Sequence, residues 1–131
     1  MSTVKATIEK PINQPIASLA FQVDAVRKTT IESLDERRRS EMGQFMTPAP
    51  VAKLMASMFN DLTGEIHLLD AGAGVGSLTA AFVEEACNRK QHPDSISINA
   101  YEPEKMLAEQ LELTTSSVSY THLTLPTTSR V

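Results

Sequence analysis

The stretch that most restricts the fold is Ile66-His67-Leu68-Leu69-Asp70-Ala71-Gly72-Ala73-Gly74-Val75-Gly76-Ser77-Leu78. A short apolar run of strand length stops at an acid and at three glycines in alternate positions. A helical pattern begins at once, with Leu78, Ala81, Phe82 and Ala86 on one side. An apolar run of this kind reads as a buried parallel strand. Ser77 can cap the helix, which the spacing carries to about residue 88, and Arg89 and Lys90 lie near the negative end of its dipole. Gln91-His92-Pro93-Asp94 then turns the chain, residues 95–101 alternate as a second strand, and Pro103 opens a helix to about residue 113. This order predicts an α/β protein, the start of a Rossmann-like doubly wound sheet, preceded by N-terminal helices.

Four regions follow. Residues 1–15, with Pro11 and Pro15 and little periodicity, read as a flexible leader. Residues 16–60 are helical: Leu19, Ala20, Val23, Val26, Ile31 and Leu34 recur at helical spacing as far as Arg39, in one helix or in two broken near Thr29-Thr30. Gly43 is the stop, Thr47 is placed to cap the next helix, and that helix is expected over about 50–60 with Val51, Leu54, Met55 and Met58 buried. Residues 61–113 form the partial sheet domain. In residues 114–131, ten of eighteen are Ser or Thr and one is charged. The run from Ser117 to Pro126 resembles adapter-derived ends found on unrelated reading frames, so the segment reads as a non-native or disordered tail.

Composition excludes whole classes of function. With 131 residues, 41% hydrophobic, the chain is neither collagen-like nor grossly disordered. No apolar run approaches the roughly 18 residues of a membrane helix, and no secretory leader is visible, so a cytoplasmic location is expected. The single cysteine, Cys87, can make neither an internal disulfide nor a metal cluster by itself. A net charge of −4 argues against a uniformly basic nucleic-acid-binding domain, although residues 1–53 carry +2 and residues 54–131 carry −6. The positive excess centres on Arg37, Arg38 and Arg39, whose acidic neighbours Asp35, Glu36 and Glu41 mark a solvated helix face.

The glycine loop is the candidate binding site. Glycines after a strand let the backbone turn sharply and approach a ligand without Cβ interference, while the next helix presents free amides. The spacing Gly-x-Gly-x-Gly departs from the Gly-x-Gly-x-x-Gly of dinucleotide sites, which disfavours a nicotinamide dehydrogenase. Asp70 just before the loop would serve a pyrophosphate poorly and would attract a sulfonium and an ammonium, which points to S-adenosylmethionine. Glu102, at the carboxyl end of the second strand, can accept hydrogen bonds from both ribose hydroxyls.

Gly43-Gln44-Phe45-Met46-Thr47-Pro48 stands upstream, followed by Val51-Ala52-Lys53-Leu54-Met55. Together with the loop after Asp70, it resembles the N6-adenine DNA methyltransferases of restriction-modification systems over about residues 30–113. The resemblance implies that the upstream segment folds over the cofactor, with Thr47 on the methionine carboxylate and Phe45 or Pro48 walling the pocket. It also implies that Asp70, Gly72 and Gly74 line the methionine side, that Glu102 holds the ribose, and that Ala71 and Gly76 belong to the cofactor site. Members of that family carry a later Asn/Asp-Pro-Pro-aromatic motif that orients the adenine amino group. Here prolines stand at 11, 15, 48, 50, 93, 103 and 126, none adjacent, so the expectation is a cofactor-binding fragment without a catalytic residue. DNA would be engaged through missing C-terminal regions of the parent.

Other residues take plainer readings. His67 and His92 lack paired ligand spacing, so no metal is expected. Met42, Met46, Met55 and Met58 read as packing residues, Lys53 as a solvated lysine and Cys87 as an incidental thiol. Oligomeric state is not legible. Two alternatives stay open: a fragment of a protein or small-molecule methyltransferase, and a non-enzymatic helical module that binds a partner. Two strands rarely make an independent core, so exposed apolar surface and aggregation are expected.

Overall fold

The structure, a computed structural model, describes residues 2–9, 19–43, 46–121 and 124–130. In chain order these form β1 (Ser2–Glu9), α1 (Leu19–Glu32), α2 (Glu36–Gly43), α3 (Ala49–Ser57), β2 (Glu65–Ala71), α4 (Ser77–Asn88), β3 (Ser95–Glu102), α5 (Lys105–Thr121) and β4 (Thr124–Arg130). The sheet order is β2-β3-β1-β4. β2 and β3 run parallel, Glu65 opposite Ser95 and Ala71 opposite Tyr101, with α4 as the connection between them. The strand, glycine bend, helix and strand expected from residues 66–101 are all present, in a mixed α/β arrangement.

β3 shows how the sequence dictates this. Ile96, Ile98, Ala100 and Glu102 are buried, and Ser95, Ser97, Asn99 and Tyr101 between them are half-exposed. Strand side chains alternate between faces, so one face of β3 is apolar and the other largely polar. Val4 of β1 stands opposite Ala100, and Leu68 of β2 opposite Ile98, on the apolar face. Leu19 and Val23 of α1, Val75, Phe82, Val83 and Ala86 around α4, and Leu107 and Leu111 of α5 join the same core. The helical layer therefore covers one face of the sheet. On β2 the other face carries Glu65, His67, Leu69 and Ala71, all exposed, and Ile66 and Leu68 are half-buried, so β2 is parallel as expected and, as an edge strand, not the buried strand expected.

Several expectations change. Residues 2–9 are not a leader: they pair antiparallel with β3 from Ser2 opposite Glu102 to Glu9 opposite Ser95. The signal was a period-two pattern in which Val4, Ala6 and Ile8 alternate with Thr3, Lys5 and Thr7. In the Ser/Thr-rich segment, α5 continues to Thr121, and β4 pairs with β1. The first helix breaks at residues 33–35, beyond Thr29-Thr30. The Thr29 hydroxyl bonds back to the Ala25 carbonyl and lets the helix pass, and the Asp35 carboxylate accepts the Arg38 amide to start α2.

α3 is turned round from the expected face. Ala49, Ala52 and Ala56 are buried, whereas Val51, Leu54, Met55 and Met58 are 45–72% exposed. The small residues pack with Ala20 and Ala81, so α3 approaches α1 and α4 through a seam of alanines. Larger side chains would hold the helices farther apart. Met46 does pack against the core, unlike Met55 and Met58. Finally, the N-cap of α4 is Gly76, in the left-handed region, and Ser77 is already its first helical residue, buried and without a capping bond.

Candidate functional site

Both strand-end acids lie at the carboxyl ends of parallel strands, and the glycine loop is bound to the second of them. The amides of Gly72 and Ala73 donate to the Tyr101 carbonyl, each at 2.8 Å. The Gly74 amide donates to Glu102 Oε1 at 2.8 Å, and Glu102 Oε2 accepts the Glu104 amide at 2.8 Å. Glu102 is 6% exposed, so it is a buried carboxylate on backbone donors that joins the two strand ends.

Gly72 and Gly74 have φ of 72° and 60°, and a Cβ built on either would meet no atom within 4 Å. Their need for glycine is conformational, and the space beside them is open. Gly76 differs. Its Cβ would stand 2.9 Å from Thr114 Cγ2 and 3.2 Å from Leu111 Cδ1, so this position accommodates α5. Ala71 is exposed at the end of β2.

Asp70 faces α4. Its Oδ2 accepts the Thr79 hydroxyl at 2.6 Å, and the Thr79 amide also donates to the carboxylate. Burial raises its pKa above the ordinary 3.8, opposed by the two Thr79 bonds. Asp70 lines an apolar groove of about 290 Å³ with Met55, Phe59, Leu69, Leu78 and Phe82, and Glu102 is not part of that groove. The two acids thus stand at the same end of adjacent parallel strands and point to different neighbours.

The upstream segment reaches α3. Thr47 is half-buried and Pro48, exposed, is the α3 N-cap, with no side-chain capping bond. Phe45 and Gln44 lie outside the described residues. The donor that Thr47 was expected to cap is taken from α1, where Asp24 Oδ1 accepts the Ala49 amide at 3.1 Å. Sequence reasoning missed Asp24; the available signal was an acid at an inward position beside Ala20 and Val23. It missed Glu84 for the same reason. Glu84 is 5% exposed on α4, its Oε1 accepts the Leu19 amide at 3.0 Å, and its Oε2 lies 3.9 Å from Lys53 Nζ.

A family model described as N-6 DNA methylase matches residues 26–113, more than half of the chain. The chain belongs to the N-6 DNA methylase family. Among curated proteins, this methylase-family chain is 46% identical over 94 residues to type II methyltransferase M.PstI of Providencia stuartii, which is 72% of the chain and 18% of that relative. It is 48% identical over 48 residues to type II methyltransferase M.BsuBI of Bacillus subtilis, 36% of the chain and 10% of the relative. The chain thus spans less than a fifth of the length of these relatives. No solved structure gives a significant match.

The arginine cluster of this methylase-family chain makes its pairings within the chain, and Arg37 stays exposed on the helix surface. Arg38 Nη2 meets Glu104 Oε1 at 2.6 Å and ties α2 to the turn after Glu102. Arg37 lies 3.5 Å from Glu41, and Arg39 donates to the carbonyls of Glu32 and Leu34. Burial pushes the Cys87 thiol up to about 12, which leaves it protonated and unreactive. Among the described residues there is no group of three metal-ligating side chains, and no helix is long and apolar enough to cross a membrane.

Proposed function

We propose that this chain is the S-adenosylmethionine-holding part of a DNA adenine-N6 methyltransferase. The observation that carries the reading is the glycine loop pinned by Gly74 to Glu102 at the carboxyl ends of two parallel strands. The residues suit such a ligand. Gly72 and Gly74 present Cβ-free backbone to open space, and Glu102 retains lone pairs for ribose hydroxyls beyond those used by two amides. When bound, the cofactor supplies an electrophilic methyl group on a sulfonium.

The chain's own residues bind and orient. Glu102 holds the loop and the ribose side, and Thr47 and Pro48 close over the methionine side. Asp70 contributes its charge nearby while fixing the first turn of α4. Gly76 permits α5 to lie against the loop. The acceptor adenine would be extruded from DNA and aligned by further regions of a parent enzyme. With no adjacent prolines the chain lacks the adenine-orienting motif, so it binds cofactor and does not methylate.

In this reading residues 61–113 are part of a doubly wound sheet. β2 is an edge strand with Leu69 66% exposed, and exposed Leu54, Met55, Met58 and Phe59 flank it. An open, apolar edge of this kind is where further strands would add.

Calorimetric titration of the 131-residue chain with S-adenosylmethionine tests the assignment. Saturable one-to-one binding is expected, weakened at least tenfold by Glu102→Ala, with no methyl transfer to DNA. Absence of binding by the wild type, or methyl transfer by the chain alone, would overturn it.

A further inference from the structure

α3 begins without a cap of its own. Its N-cap is Pro48, and Pro50 in its first turn has no N–H to offer. The Ala49 amide is instead satisfied by Asp24, which is 6% exposed and sits 25 residues upstream on α1. Asp24 is itself held by Arg27 Nε at 2.7 Å and Lys28 Nζ at 3.6 Å. The start of α1 is fixed in the same way, since the Leu19 amide donates to Glu84 of α4. α4 leaves directly from the glycine loop. Two buried carboxylates thus connect α4, which leaves the loop, through α1 to the first residue of α3.

We infer that Asp24 is a positioning residue that holds Thr47 and Pro48 at the entry of α3, so that Thr47 meets the amino-acid end of the cofactor. This rests on the function proposed above. Without Asp24, Ala49 would need another acceptor and residues 46–48 would lose their fixed approach to α3. The negative charge of Asp24 also faces the positive end of the α3 dipole. A helix cap that only stabilised the fold would affect every ligand equally. A cap that places Thr47 affects only ligands with an amino-acid end.

The experiment titrates the full chain with S-adenosylmethionine and with 5′-methylthioadenosine, which keeps the adenosine and sulfur and lacks the amino-acid portion. Asp24→Ala is expected to weaken S-adenosylmethionine about fivefold, the scale of a lost cap, and to leave methylthioadenosine unchanged. Asp24→Asn, which keeps an oxygen for the Ala49 amide, should restore affinity to within about twofold. If Asp24→Ala loses the wild-type far-ultraviolet dichroism, Asp24→Glu keeps the charge, displaces the acceptor oxygen and should give the same selective loss, about threefold. Equal weakening of both ligands, or unchanged S-adenosylmethionine affinity, overturns the inference. A wild type that binds neither ligand removes the functional reading itself, and the inference with it.

Discussion

Replacing Gly76 by alanine separates two physical costs that the three loop glycines share unequally. At φ of 97°, alanine sits in a region that L-residues rarely adopt, which costs about 1–2 kcal/mol. Its Cβ would also press on Thr114 Cγ2 at 2.9 Å and Leu111 Cδ1 at 3.2 Å, and overpacking of this kind costs about 1–3 kcal/mol. The sum is about 2–5 kcal/mol, a large part of the roughly 5–15 kcal/mol that stabilises a domain. Gly72→Ala provides the control, because its φ is 72° and nothing lies within 4 Å, leaving only the conformational cost. Thr114→Ser removes the crowding methyl and keeps the hydroxyl that donates to the Val75 carbonyl at 2.8 Å. Urea unfolding followed by circular dichroism should therefore rank Gly76→Ala well below Gly72→Ala. The double variant Gly76→Ala/Thr114→Ser should recover about 1 kcal/mol relative to the sum of the single changes. Equal losses at positions 72 and 76, or strict additivity with Thr114→Ser, would refute the claim that α5 packs on the loop.

Further outcomes follow from the acids and from the outer face of α3. Burial works to raise the Asp24 pKa, but the Arg27 bond, the Ala49 amide and the Arg27 and Lys28 charges outweigh it and hold the carboxyl below 3.8. Its stabilising contribution is thus present above that value and lost as pH falls through the folded pKa. The acid limb of melting temperature against pH, below about pH 4, should be shallower in Asp24→Asn than in wild type; identical limbs would show that the ionised form is not favoured by folding. Leu54→Lys/Met58→Lys, at positions 64% and 72% exposed, should leave stability within about 0.5 kcal/mol and reduce self-association in light scattering. A stability loss of several kcal/mol would mean that those side chains are packed.

The readable parts of the fold are those where one local period dominates. β3 alternates without interruption, α4 has one apolar stripe, and glycines 72, 74 and 76 could hardly be anything but a bend. Local pattern is not enough where long-range pairing decides. β1 is eight residues with a modest alternation beside Pro11, and only its partner β3 makes it a strand. For α3, large apolar side chains outvoted alanines in the sequence, yet the seam with Ala20 and Ala81 favours the smaller face. The nearness of Glu102 to the glycine loop is legible because both stand at the ends of predicted neighbouring strands. The orientation of Asp70 was not foreseeable, since it depends on Thr79, nine residues on, offering both hydroxyl and amide. Asp24 and Glu84 were hidden because an acid in a helix ordinarily signals a wet face, and their partners lie 25 and 65 residues away.

The sheet order imposes a timetable on synthesis. β2 and β3 are joined in register over a separation of only 30 residues, so this pair can assemble early around α4. Ser2, by contrast, meets Glu102, and Thr3 meets Arg130. At a ribosomal pace of about 5–20 residues per second, the opening strand waits roughly 5–20 seconds for its neighbour to be made. During that interval its unpaired backbone is open to chaperones or to nascent copies of the same chain.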